Sequence, residues 1–163
     1  MRFGTLIAFA GGGVLGTAGG FALGVFLYPY IFLADIVAKE TAVTGSAAAV
    51  ATGTFIHANP ADPIHFGQGR VSVYKDSVFL HDDFKVGPGP KFHVYLVPEA
   101  NVTPKTEVEK TMFVDLGRLR AFQGSQNYAL PAGIDPARYR SVVIWCEHFK
   151  VLISPAPLAF AGG

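Results

Sequence analysis

Between Arg2 and Asp35 the sequence carries no charged side chain, leaving an uncharged run of 32 residues over 3–34. A helix needs about 20 apolar residues to cross a bilayer, so this run predicts one membrane-spanning helix with its hydrocarbon core over 6–27. Tyr28-Pro29-Tyr30 follows, placing tyrosines where an interfacial belt belongs and a proline where the helix should kink or stop. A cleaved signal peptide is the competing reading, and Ala49-Val50-Ala51 offers a small-residue site. Its apolar region, however, spans only about 7–15 residues. A retained anchor over 1–38 is the expectation. Arg2 precedes the span, whereas Asp35, Lys39 and Glu40 follow it. The positive-inside tendency then puts the N-terminus in the cytoplasm and the rest outside it, in the periplasm if the cell is bacterial.

Within the span, Gly4, Ala8, Gly12, Gly16, Gly20 and Gly24 recur every four residues. On a helix they form one smooth stripe, where a neighbouring helix can approach the backbone closely. Glycine is also common in membrane helices generally. The register of Gly12, Gly16, Gly20 and Gly24 favours packing, so the expected partners are the lipid bilayer and integral-membrane proteins that meet this face.

Residues 39–52 are rich in Ala, Thr, Ser and Gly without a strong apolar period, and read as a linker or weak helix. A short interfacial helix is expected over 31–37. From residue 53 to 163 the texture changes to short apolar runs separated by turn signals, such as Gly87-Pro88-Gly89-Pro90 and Pro131-Ala132-Gly133. Strands are expected over 54–57, 64–74, 77–84, 92–97, 111–116, 126–130 and 142–153. Seven or more short strands predict an all-β domain, an antiparallel sandwich or flattened barrel. It is long enough for one real core.

The most constrained stretch of that domain is 141–153, which holds the only Trp and the only Cys. With period two, Val143, Trp145, Phe149 and Val151 share one face, and Val142, Ile144, Cys146, His148 and Lys150 share the other. Both faces begin apolar, so 142–146 should lie centrally in a sheet covered on both sides. Cys146 and His148 would then sit roughly 6–7 Å apart on one face, near enough for a thiol–imidazole contact. A redox thiol needs a lowered pKa, and His148 is the cation to supply it. The blander reading is a strand cysteine beside Trp145 that acts as a small hydrophobe.

With one cysteine there is no internal disulfide and no C-x-x-C pair. The histidines His57, His65, His81 and His93 follow no metal-ligand spacing, and no metal is expected. Asp82-Asp83 is not an EF-hand loop, and reads as charged turn residues. Arg118, Arg120, Arg138 and Arg140 flank two turns, either as solvated loop residues or as docking points for an acidic partner or lipid head groups. From residue 53 onward there are eleven Lys or Arg against ten Asp or Glu. That balance argues against nucleic acid, which needs a concentrated basic surface. No Ser-His-Asp set, phosphate loop or spaced carboxylate pair is present, so an enzyme is not expected.

In order along 53–158, Gly53-Thr54-Phe55, Asp83-Phe84, Gly87-Pro88-Gly89-Pro90, Tyr95-Leu96 and Asp115-Leu116-Gly117 are followed by Gly124-x-Gln126-x-Tyr128-x-Leu130-Pro131 and Val142-Val143-Ile144-Trp145-Cys146 with Phe149. This series resembles the DM-thirteen domain, a small β domain of cell-surface and bacterial proteins. The resemblance implies a part in electron transfer, with Cys146 as a bare thiol or as ligand to a prosthetic group such as haem. It offers no established catalytic set, and it does not reach the membrane span.

Two functions are therefore expected in competition. The first is a non-catalytic single-pass accessory subunit whose helix packs into a membrane complex and whose β domain braces it. The second is an electron-transfer module that uses Cys146, with His148 and Trp145 beside it.

Overall fold

In a computed structural model of the chain, residues 3–28, 31–32, 35–43 and 48–161 are described. Helix α1 (Phe3–Tyr28) runs 26 residues with no buried position. At 1.5 Å per residue it is about 39 Å long, and it is apolar enough to cross a membrane. Pro29 and Tyr30, expected to end the span, lie outside the described residues, as do Leu33 and Ala34. Of the interfacial helix expected over 31–37, Ile31 and Phe32 are helical, whereas Asp35 and Ile36 are not and Val37 begins β1 (Val37–Lys39).

The remainder is one mostly antiparallel sheet of 11 strands, the all-β domain expected. Its strands are β2 (Ala51–Thr54), β3 (Gly67–Gln68), β4 (Arg70–Val73), β5 (Ser77–Leu80), β6 (Lys85–Val86), β7 (Phe92–Val97), β8 (Val114–Arg118), β9 (Gln123–Ala129), β10 (Ser141–Cys146) and β11 (Val151–Phe160). They pair in the order β3-β6-β9-β5-β4-β2-β11-β10-β7-β8. Strands β9 and β11 each bend from one part of the sheet into the next, which folds the sheet over its own core. Within the stretch expected as a linker, Lys39 belongs to β1, which lies parallel to β9, and Ala51 and Thr52 belong to β2.

Several strand bounds differ from expectation for local reasons. The run over 64–74 splits at Gly69, whose φ of 103° interrupts the ladder. The run over 142–153 is not one strand but a hairpin, in which Trp145 faces Leu152 and Cys146 faces Val151. Glu147 to Lys150 form its turn, and Lys150 takes a left-handed φ of 57° to close it. A two-residue alternation carries no signal for such a reversal when the turn lacks Gly, Pro and Asn.

All six residues of β10 are buried. On one side Val142, Ile144 and Cys146 join the main core with Phe84, Leu96 and Ile153. On the other, Val143 and Trp145 pack with Tyr95, Val97 and Leu152 under Val102 and Val108 of the following loop. Strand β10 thus runs through the middle of the domain, covered on both faces. Each large apolar side chain buried there contributes about 1.5–3 kcal/mol.

Candidate functional site

The end of β10 brings Cys146 beneath the Gly87–Pro90 loop. Its Sγ–H donates to the Pro90 carbonyl at 3.2 Å, and the residue is 1% exposed. Burial pushes the thiol pKa up from its ordinary value. Backbone N–H groups of Phe149 and His148 pull against that shift without reversing it. The sulfur is therefore a neutral donor at neutral pH, and the nucleophilic thiolate is scarce.

His148 does not share a strand face with Cys146. It stands in the hairpin turn, exposed, with its ring edge-on to Phe149 at 4.7 Å. The expected imidazole–thiol pair fails because the strand ends at Cys146. Trp145 lies on the opposite face in the second cluster, and its buried Nε1 has no hydrogen-bond partner among the described residues.

Beside the thiol is an apolar cavity of about 520 Å³, walled by Phe26 and Leu27 from α1 and by Pro88, Pro90, Phe149 and Cys146 from the domain. The Phe26 and Phe149 rings stack 5.8 Å apart with 5° between their planes. Gly89 admits the close approach of the Phe92 ring there, since a Cβ would overlap it. The cavity walls are apolar, and His65 in its lining is held 2.6 Å from the Asp62 carboxylate.

A polar cluster lies across the sheet from it. His93 Nδ1 sits 3.0 Å from both Asp115 oxygens, while its Nε2 is 3.5 Å from Glu147. Tyr95 donates to Glu147 at 3.0 Å, and Lys91 reaches the same carboxylate at 2.9 Å. The Lys91 hydrogen bond is the leading reason that the Glu147 carboxyl stays below its ordinary pKa. His93, Asp115 and Glu147 have ligand atoms within 4.8 Å of one another, the one grouping among the described residues with the makeup of a metal site. Both imidazole nitrogens face carboxylates, and Lys91 forms an ion pair with Glu147. Sequence spacing conceals the cluster, because β7, β8 and the turn after β10 assemble it from positions far apart.

The Gly-x-Gln-x-Tyr motif has a structural explanation. Gly124 takes a φ of 88°, and a Cβ there would overlap the Ala38 carbonyl of β1. Fully buried Gln126 accepts from Arg120 N–H, Ala121 N–H and the Tyr128 hydroxyl at 2.9–3.2 Å, and donates to Ala121 O at 2.8 Å. Tyr128, with its pKa pushed up to about 12 by burial, stays a neutral donor. Glu40 follows β1 onto the same strand, meeting Asn127 N–H and Arg120 at 2.8 Å.

Asp82 and Asp83 are charged turn residues engaged by Arg70, at 3.4 and 2.8 Å. The four arginines separate by environment, with Arg138 exposed at the end of a short 3-10 turn (Pro136–Arg138). Arg120 pairs with Glu40 and lies over Tyr128, and Arg140 lies over Phe160. Arg118 is exposed beside the end of α1. Gly12, Gly16, Gly20 and Gly24 lie on α1 with open space where each Cβ would stand.

A family model described as electron transfer DM13 matches residues 61–158, more than half of the chain. Neither the curated proteins nor the solved structures contain a match.

Proposed function

The chain belongs to the electron-transfer DM13 family, and from that premise we propose that this member serves as a non-catalytic accessory subunit of a membrane complex. In this reading α1 anchors the protein with its N-terminus in the cytoplasm, packs against integral-membrane partners along Gly12, Gly16, Gly20 and Gly24, and holds the β domain outside as a brace. The observation that carries it is that no residue of α1 is buried, while the domain completes its own core without the helix. An apolar helix with an open small-residue face packs closely against another helix in the bilayer. The neutral, hydrogen-bonded state of Cys146 supports a packing role for the family cysteine here.

Electron transfer is the second reading, favoured by the family description and by the apolar cavity against Cys146. A haem or other prosthetic group would occupy that cavity with the sulfur at its wall. Such a ligand requires Sγ to give up its bond to Pro90 and its proton.

Purification of the full chain from its native membrane in mild detergent, with mass spectrometry of bound chains and a visible spectrum, separates the two. Accessory function predicts stoichiometric membrane partners and no chromophore on the isolated subunit. Replacing both Gly16 and Gly20 with Leu should reduce partner recovery. Unchanged recovery would overturn the helix-packing reading, and a chromophore lost in Cys146→Ser would establish the redox one.

A further inference from the structure

The crevice between α1 and the β domain has two chemically distinct ends. Tyr28, Val25, Gly24 and Phe21 of the helix form one wall of a cleft of about 590 Å³, and Lys91 and Arg118 stand on the other. The apolar side does not stop at Phe21. A second shallow groove continues along Phe21, Ala18, Thr17, Val14 and Gly13. From Tyr28 to Gly13 the path is about 22 Å by helical rise, longer than the ~15 Å hydrocarbon depth of one leaflet. The basic end opens into a further hollow on the domain, which shares Lys91 and Arg118 and adds Arg120.

Charge accounting singles out Arg118. Lys91 is 2.9 Å from Glu147 and Arg120 is 2.8 Å from Glu40. Arg118 is in none of the ion pairs among the described residues, so it brings an uncompensated positive charge to the crevice. The C-terminal end of α1 has the partial negative charge of its carbonyls, so attraction for an anion there must come from the domain. A guanidinium is suited to phosphate through paired N–H donors.

We propose that this crevice holds an anionic phospholipid, with its phosphate on Arg118 beside Lys91 and one acyl chain along the α1 face from Gly24 to Gly13. Basic end and apolar groove match the two parts of such a molecule in the order a bilayer presents them. The site adjoins the cavity at Cys146 across Gly89 and Pro90, and it shares Gly24 with the helix-packing face of the accessory reading.

The test uses the full chain in nanodiscs of equal phosphatidylglycerol and phosphatidylcholine, released into the gas phase for native mass spectrometry. Phosphatidylglycerol should be retained over phosphatidylcholine. Arg118→Gln should lower that preference roughly fivefold, the effect of one basic side chain at an anionic surface, and Arg118→Lys should restore most of it. Gly24→Leu should reduce retention by filling the groove, whereas Arg138→Gln, outside the crevice, should leave it unchanged. Equal retention of the two lipids, or an Arg118→Gln protein that keeps the full preference, would overturn the proposal. So would binding of inorganic phosphate alone with the same Arg118 dependence, which would reassign the site to a free anion.

Discussion

Strands β9 and β10 carry the two most distinctive stretches of the domain and use them in opposite ways. In β9 the distinctive residues are polar and each is answered: Gln126 bonds four groups, Ser125 donates to Glu40 O, and Asn127 holds Glu40 and Thr41. In β10 they are apolar or nearly so. Cys146 donates to Pro90, and the Trp145 N–H has no partner among the described residues. Strand β9 is specified by hydrogen bonds and β10 by packed volume. Polar groups that close on one another fix a unique register, whereas buried volume supplies most of the stability.

If volume rules β10, Trp145→Ala should have the largest effect in the domain, about 3–5 kcal/mol from lost transfer energy and a large cavity. The urea midpoint of the full chain in detergent should fall accordingly. Trp145→Phe should cost much less, because it keeps an aromatic ring and removes an N–H that is buried without a partner. Similar losses for Ala and Phe would mean that the indole nitrogen matters, and the contrast with β9 would collapse.

Gln126→Ala tests the other strand. It orphans the Ala121 N–H, the Ala121 carbonyl and the Tyr128 hydroxyl proton, each worth about 1–3 kcal/mol when left buried and unpaired, while the Arg120 N–H keeps its 3.3 Å bond to the Tyr128 oxygen. Relaxation of the 119–122 loop toward solvent should limit the total to roughly 2–4 kcal/mol, still large for so small a change in apolar area. Faster amide exchange at Ala121 should accompany the loss. Protection that stays intact there would show that the loop stands on Leu119 and Phe122 packing instead.

These two strands also differ in how much of them the sequence discloses. The alternation Val142-Val143-Ile144-Trp145-Cys146 is enough to place β10 centrally with both faces covered, because burial on two sides needs apolar residues at every position. The same alternation runs on through His148, and so predicts an imidazole beside the thiol. The hairpin turn at Glu147–Lys150 removes it, and nothing in Glu-His-Phe-Lys marks that turn. In β9 the Gly-x-Gln-x-Tyr spacing is visible, but its partners are not. Arg120 and Ala121 turn back onto it from the loop that enters β9, and Ala38 and Glu40 reach it through the parallel pairing of β1, a contact that an Ala-rich stretch does not announce. The His93–Asp115–Glu147 cluster is likewise hidden, since it needs the β7–β8 register and the turn after β10 together.

Cys146 sits between the two modes, with a packed sulfur that donates to Pro90. Cys146→Ala should cost on the order of 1–2 kcal/mol, a small cavity plus the lost transfer energy. Alkylation of the native thiol should be slow at neutral pH and complete after denaturation, since burial holds the thiol protonated. Rapid labelling of the native protein would identify an accessible thiolate, and would move Cys146 from packing to chemistry.

The smallest expected effect comes from Glu147, the polar residue that follows Cys146 and brings a β9-like network to the end of β10. Its carboxyl is held below the ordinary value, first by the Lys91 hydrogen bond and further by Tyr95 and His93. A depressed carboxylate pKa means that the unfolded chain binds the proton more readily than the folded one. The stabilisation is therefore fully present above the unfolded value of about 4.3 and is lost as pH falls through the lower folded value. The partner Lys91 is substantially exposed, so the contribution should be about 1 kcal/mol or less. Urea midpoints measured from pH 6 down to pH 3 should decline more steeply in the unaltered protein than in Glu147→Gln. The variant keeps an oxygen for the Tyr95 hydroxyl but has no proton to take up. Parallel curves for the two proteins would mean that Glu147 contributes only its hydrogen bonds, and that volume alone stabilises this end of β10.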